Sequence, residues 1–122
     1  MDARIGILLF DDVEELDFAG PWEVFTAAAM MGGVEPGRVV TIAEQPGPGR
    51  CAKRLRVLPN HTFDVIVLDG PRFGRDGQLV TAAGVSAGID LALWLVGQLE
   101  SPEFARRVQR TIQYEPEPPY AD

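Results

Sequence analysis

Arg4-Ile5-Gly6-Ile7-Leu8-Leu9-Phe10, running into Asp11-Asp12-Val13-Glu14-Glu15-Leu16-Asp17-Phe18-Ala19-Gly20-Pro21-Trp22-Glu23-Val24-Phe25, is the stretch whose reading decides the fold. Ile5 to Phe10 is an unbroken apolar run, the pattern of a strand covered on both faces in a parallel sheet. Asp11-Asp12 ends it and delivers carboxylates to the start of a helix. Apolar positions Leu16, Phe18, Val24, Phe25, Ala28 and Met31 fit a helical period. Gly20-Pro21 must bend or restart that helix, and Pro21 suits a first helical position, so the helix proper is expected to begin there. A strand handing over to a helix is where α/β enzymes place their chemistry.

The pattern continues outward in the same style. Gly32-Gly33 closes the helix, and the short β-branched run Val39 to Ala43 reads as a second parallel strand, completing one βαβ unit. Gln45-Pro46-Gly47-Pro48-Gly49 is turn-rich, and Leu55 to Leu58 alternates like an exposed edge strand or hairpin. Asp64 to Leu68 is again a buried strand. From Gly70 to Leu79 the chain is too short for a parallel crossover, which takes about a dozen residues, and Arg75-Asp76-Gly77 is a hairpin signal. The strands around Val65 and Val80 are therefore not parallel neighbours joined by a helix.

Toward the far end, Ser86 is the expected N-cap of a helix through Leu99, with Ile89, Leu93, Val96 and Leu99 on one stripe. Ser101-Pro102 opens a second helix in which Phe104, Val108 and Ile112 face inward while Arg106, Arg107 and Arg110 face away. Tyr114 to Tyr120, rich in proline, is expected to run extended over the surface. No internal repeat is visible, and residues 1–122 read as a single domain.

Composition narrows the function classes. The chain has 122 residues and a net charge of -7, which argues against nucleic acid and anionic membrane as partners. No apolar run approaches the roughly 20 residues that span a bilayer, and no apolar segment follows a basic one at the start, so a cytoplasmic location is expected. One cysteine, Cys51, makes no internal disulfide, and with the lone His61 it builds no structural zinc site. Neither a metal nor another cofactor is expected.

Two long motifs carry a family resemblance. Phe10 to Phe25 (Phe-Asp-Asp-Val-Glu-Glu-Leu-Asp-Phe-Ala-Gly-Pro-Trp-Glu-Val-Phe) and Val80 to Leu95 (Val-Thr-Ala-Ala-Gly-Val-Ser-Ala-Gly-Ile-Asp-Leu-Ala-Leu-Trp-Leu) resemble the DJ-1/PfpI superfamily, most of all its isonitrile hydratase branch. Ile112 to Tyr120 resembles that branch rather than the related domains fused to AraC-type DNA-binding regions, and nothing here reads as a helix-turn-helix. The resemblance covers roughly residues 4 to 69 and 72 to 120. It implies an α/β fold, a reduced flavodoxin-like, class I glutamine amidotransferase-like parallel sheet flanked by helices. Between the two blocks the family has a Gly-Gly turn, a helix and a strand ending in the nucleophile elbow with its catalytic cysteine; here Asp69-Gly70-Pro71 passes over them.

The family's chemistry is hydration of an isonitrile to an N-substituted formamide: a thiolate attacks the isonitrile carbon, an acid protonates it, and water releases the product. The resemblance makes Asp17 the matching carboxylate, a general acid or base, against an ordinary role as a first-turn acid complementing the helix dipole. It makes Gly20, Thr81, Gly84 and Ser86 pocket-lining candidates. Gly84-Val85-Ser86-Ala87-Gly88 could bind an anion at a helix N-terminus, but it lacks phosphate-loop spacing, and close packing of the last helices on the sheet is the preferred reading. Lys53-Arg54 would lower the Cys51 pKa somewhat, yet the alignment puts Cys51 in a peripheral strand region, and a part-buried structural side chain is expected. His61 is read as structural, Glu14 and Glu15 as solvated, and Asp11 and Asp12 as loop acids.

Two functions follow from the resemblance. One is an isonitrile hydratase-like enzyme, impaired or inactive without the elbow cysteine, or using an activated water in its place. The other is a non-catalytic module that binds a small molecule or mediates oligomerisation. Losing a central strand would leave apolar sheet edges, which predicts a homodimer or a domain-swapped oligomer.

Overall fold

The computed structural model describes residues 3–63, Gly84 and residues 86–116. The strands expected around Val65 and Val80, the hairpin at Arg75-Asp76-Gly77, Thr81 and the stretch beyond Pro116 lie outside the described residues.

The βαβ unit forms as the sequence reads. Strand β1 (Ile5–Leu8) and strand β2 (Val39–Ala43) pair in parallel with Ile5 opposite Val39 and Leu8 opposite Ile42. A short strand β5 (His61–Thr62) adds to the other side of β2, again parallel, giving the order β1-β2-β5. Asn60 locks that addition: its Oδ1 accepts from the Thr41 N–H at 2.8 Å and its own N–H donates to Thr41 Oγ1 at 3.0 Å. Nothing in the apolar pattern announced β5, because two residues carry no period.

One expectation about β1 fails. Ile7 and Leu9 are buried, but Leu8 is 49% exposed and Phe10 58% exposed. The apolar run thus reports propensity on both faces while only one face is covered among the described residues. The buried face shares a single cluster with Val24, Phe25 and Ala28 of the first helix and with Val39 of β2.

Helix α1 (Glu15–Met31) runs unbroken through Gly20-Pro21 instead of restarting at Pro21. Proline in a helix interior removes one backbone bond and costs about 3 kcal/mol or more in isolation. Here position 21 cannot donate to the Asp17 carbonyl, and that carbonyl oxygen lies against Gly88 of the second helix, where an added Cβ would sit 3.5 Å away. The helix ends as expected. The Gly32 N–H donates to the Ala28 carbonyl at 2.9 Å, and Gly33 takes φ +72°, the left-handed conformation that glycine adopts without penalty.

Helix α2 (Ala87–Leu99) and helix α3 (Pro102–Thr111) pack on each other and both pack against α1. Ser101 caps α3, its hydroxyl accepting from the Phe104 N–H at 3.1 Å. Val108 is fully buried and Phe104 and Ile112 pack on the core, with the arginines outward as expected. Ser86 does not cap α2 by its side chain: its backbone is already helical, and its carbonyl accepts from the Ile89 N–H at 3.0 Å. The buried stripe of α2 is Gly88, Ala92 and Val96, whereas Leu99 is 43% exposed. Ile89 and Leu93 of the expected stripe are part-buried and pack on the core beside it.

Gly20 and Gly88 set how closely the helices meet. A Cβ on Gly20 would come 2.7 Å from Ile89 Cγ1, and one on Gly88 would come 3.1 Å from Pro21 Cγ. Gly20→Ala should therefore destabilise the chain by about 1–2 kcal/mol through overpacking, although alanine is the better helix former by roughly 1 kcal/mol. Urea denaturation checks this, and Ile89→Ala in the same chain should recover part of the Gly20→Ala loss if the clash is its cause.

Candidate functional site

The β1–α1 junction is built from the residues that end the first strand. Asp12 takes φ +65°, turning the chain, and its N–H donates to the Arg50 carbonyl at 2.9 Å. The partner is a hairpin, strand β3 (Gly49–Arg50) antiparallel to strand β4 (Arg56–Val57), with Gly49 opposite Val57. Ala52 continues the seam, donating to the Val13 carbonyl at 3.0 Å.

Glu14 and Glu15, expected to be solvated, instead hold this hairpin. Glu15 Oε1 accepts from the Lys53 N–H at 2.6 Å, Glu15 Oε2 meets Lys53 Nζ at 3.4 Å, and Glu14 pairs with the same ammonium. A charge-assisted bond to a backbone N–H fixes position better than a surface ion pair does. The hairpin thereby covers the strand-to-helix junction.

Cys51 lies beneath that cover. Its side chain is 2% exposed and belongs to the same apolar cluster as Leu9 and Val13, and its N–H donates to the Leu55 carbonyl at 2.8 Å. Burial pushes the thiol pKa up from its ordinary 9.0, and the nearby Glu15 carboxylate pushes it further in the same direction. The expected lowering by Lys53-Arg54 is thus reversed: Lys53 is engaged by two carboxylates, and Arg54 sits at the tip of the hairpin with φ +77°. Cys51 is a protonated, structural thiol at neutral pH.

The site residues expected from sequence are only partly brought together. Asp17 stands half-buried in the first turn of α1, its N–H donating to the Glu14 carbonyl at 3.0 Å, and its carbonyl borders Gly88. Gly84, with φ +130°, and Ser86 lead into α2. Of the glycine-rich segment, Gly88 packs closely on α1, against Pro21 and the Asp17 carbonyl. Gly20 lines a groove of about 250 Å³ with Leu16, Ile89 and Tyr114. The Tyr114 phenol bonds to Asp90, and burial together with that carboxylate raises its pKa above the ordinary 10.0. His61 is exposed on β5. Thr81 lies outside the described residues.

A second cavity, about 270 Å³, opens at the carboxyl ends of β1 and β2. Leu8, Phe10, Asp11, Glu44 and Cys51 are among its walls. The sequence did carry a faint signal for it: an acidic residue follows each strand, Asp11 three residues after β1 and Glu44 directly after β2, and β2 is followed by a Pro/Gly loop that returns to the hairpin. Asp17, Gly84 and Ser86 border neither cavity. Among the described residues no His, Cys, Asp and Glu cluster could hold a metal ion, and no helix is long and apolar enough to cross a membrane.

The buried thiol makes stability depend on alkaline pH. Cys51 keeps its proton in the folded chain above the pH at which the unfolded chain releases it, so its contribution is complete below about pH 9 and is lost as pH rises toward the folded value. Cys51→Ala should lower stability at neutral pH by about 1 kcal/mol and flatten the decline between about pH 8 and pH 10. Urea midpoints across that range measure both effects.

No family model matches the chain. Over 49 residues, 40% of its length, it is 45% identical to an isonitrile hydratase of Pseudomonas putida, and the match spans 22% of that relative. Its structure is similar to a THiJ/PfpI family protein of Pseudomonas syringae, with a TM-score of 0.73, 16% identity, and coverage of 98% of this chain and 78% of the other. It is also similar to an AraC family transcriptional regulator of Pseudomonas putida, with a TM-score of 0.71 at 12% identity over 90% of this chain and 99% of the other, a likeness of fold alone. The parallel sheet with its covering helices is thus of the flavodoxin-like kind found in that THiJ/PfpI protein, and the chain shares a 49-residue block with an isonitrile hydratase of which it spans about a fifth.

Proposed function

We propose that this chain is an isonitrile hydratase-type domain in which thiol-dependent hydration is impaired and small-molecule binding is what remains. The observation that carries this reading is the state of the lone thiol. Addition to an isonitrile carbon needs a thiolate with a depressed pKa beside a proton donor, and water must then release the N-substituted formamide. Cys51 is buried under a docked hairpin with its pKa raised, the opposite condition.

Further support comes from the sequence between the two family-like blocks. Asp69 to Gln78 is too short to supply the elbow strand and helix, and with them would go the backbone amides that stabilise charge developing on the attacked group. By the sequence resemblance Asp17, in the first turn of α1, would be the matching carboxylate. A carboxylic acid alone can protonate or deprotonate, but it contributes only about 10²–10⁴-fold to such a reaction.

The purified chain, incubated with an alkyl isonitrile, should form no N-substituted formamide above the buffer rate, and Asp17→Ala and Cys51→Ala should behave the same. Turnover that disappears in Cys51→Ala would make that thiol the nucleophile after all. Turnover lost in Asp17→Ala but kept in Cys51→Ala would identify a water-based hydratase and equally overturn the reading.

A further inference from the structure

The cavity at the carboxyl ends of β1 and β2 has the buried Cys51 in its wall, and the rest of its lining has a definite character. Three of the large apolar side chains that stand exposed, Leu8 at 49%, Phe10 at 58% and Phe63 at 42%, line this one space. Exposed apolar groups that converge on a concavity mark a binding surface, whereas scattered ones need no explanation. Open α/β sheets offer ligands the crevice at the carboxyl ends of their strands, and this cavity has that position.

Its charge is one-sided. Asp11, beyond the end of β1, and Glu44, directly after β2, are both exposed and both line it, and among the described residues neither a lysine nor an arginine lines it. The chain as a whole carries -7, so its field draws cations and repels anions. Phe10 and Phe63 add ring surfaces of the kind that attract a cation within about 6 Å. The volume, about 270 Å³, exceeds the roughly 150 Å³ that suffices for benzene in an apolar cavity, but it is small for a drug-sized molecule.

We propose that this groove binds a small apolar ammonium ion, one ring or a short branched alkyl group carrying a protonated amine, with the apolar part against Leu8, Phe10 and Phe63 and the charge toward Asp11 and Glu44. The inference rests on the proposed reading that Cys51, buried in the wall of the groove, is not a nucleophile; Asp17 does not border the groove.

The test uses the whole chain with benzylammonium as probe and benzyl alcohol as its neutral counterpart, read by amide chemical shifts. Benzylammonium should bind saturably in the millimolar range with shifts at residues 8–11 and 43–48, and more weakly at high salt. Benzyl alcohol should bind about tenfold more weakly, and Asp11→Asn with Glu44→Gln should cost benzylammonium about tenfold while leaving benzyl alcohol unchanged. Both substitutions are at exposed positions, so folding is preserved. Equal binding of the two probes, indifference to the double variant, or no saturable binding overturns the proposal. So does a wild-type dimer that refuses benzylammonium and becomes monomeric in Phe10→Ser, which assigns the groove to a second copy.

Discussion

The close approach of α1 and α2 is the constraint on which the rest of the structure depends. Gly20 on one helix and Gly88 on the other remove the side chains that would hold the axes apart, and Ile89 and Pro21 fill the space so gained. That contact explains why α1 tolerates a proline in its interior. The helix is held by its neighbours along its length, with Val24, Ala28 and Ala29 fully buried, so loss of one backbone bond does not divide it. With α1 continuous, one rigid element carries both the acidic first turn and the apolar face that covers β1 and β2.

The acidic first turn then does structural work. Glu14 and Glu15 grip the hairpin of β3 and β4 through Lys53, and backbone bonds from Asp12 and Ala52 complete the seam. Packing the hairpin there buries Cys51 and shuts the lone thiol away from water. Carboxylates that could have served chemistry at the strand-to-helix junction are committed to position instead, and the Glu15 charge disfavours the thiolate. Asp17, two residues beyond Glu15, stands half-buried in the first turn of α1.

What the packing leaves open is equally specific. The helices cover the Ile7 and Leu9 side of β1, while Leu8 and Phe10 stand exposed at the mouth of a groove rimmed by Asp11 and Glu44. An apolar floor with acidic edges recognises a different chemistry from a thiol-based site. The two features sit on opposite consequences of the same strand: alternate residues of β1 are used for the core and for the groove.

The sequence by itself determined the βαβ unit, the closing Gly32-Gly33 and the Ser101 cap of α3, because each is written in local periodicity or capping chemistry. It misread the continuity of α1, the exposed face of β1, the burial of Leu99 and the role of Glu14 and Glu15. Local rules assign proline to a helix start, apolar runs to two-sided burial and acids to solvent. Tertiary structure decided each of these otherwise among the described residues, since a helix packed along its length outweighs one missing bond, and Gly20 and Gly88 let the helices meet closely. It also reversed the expected shift at Cys51, because burial and the nearest charge in space, not the nearest in sequence, set a thiol's pKa.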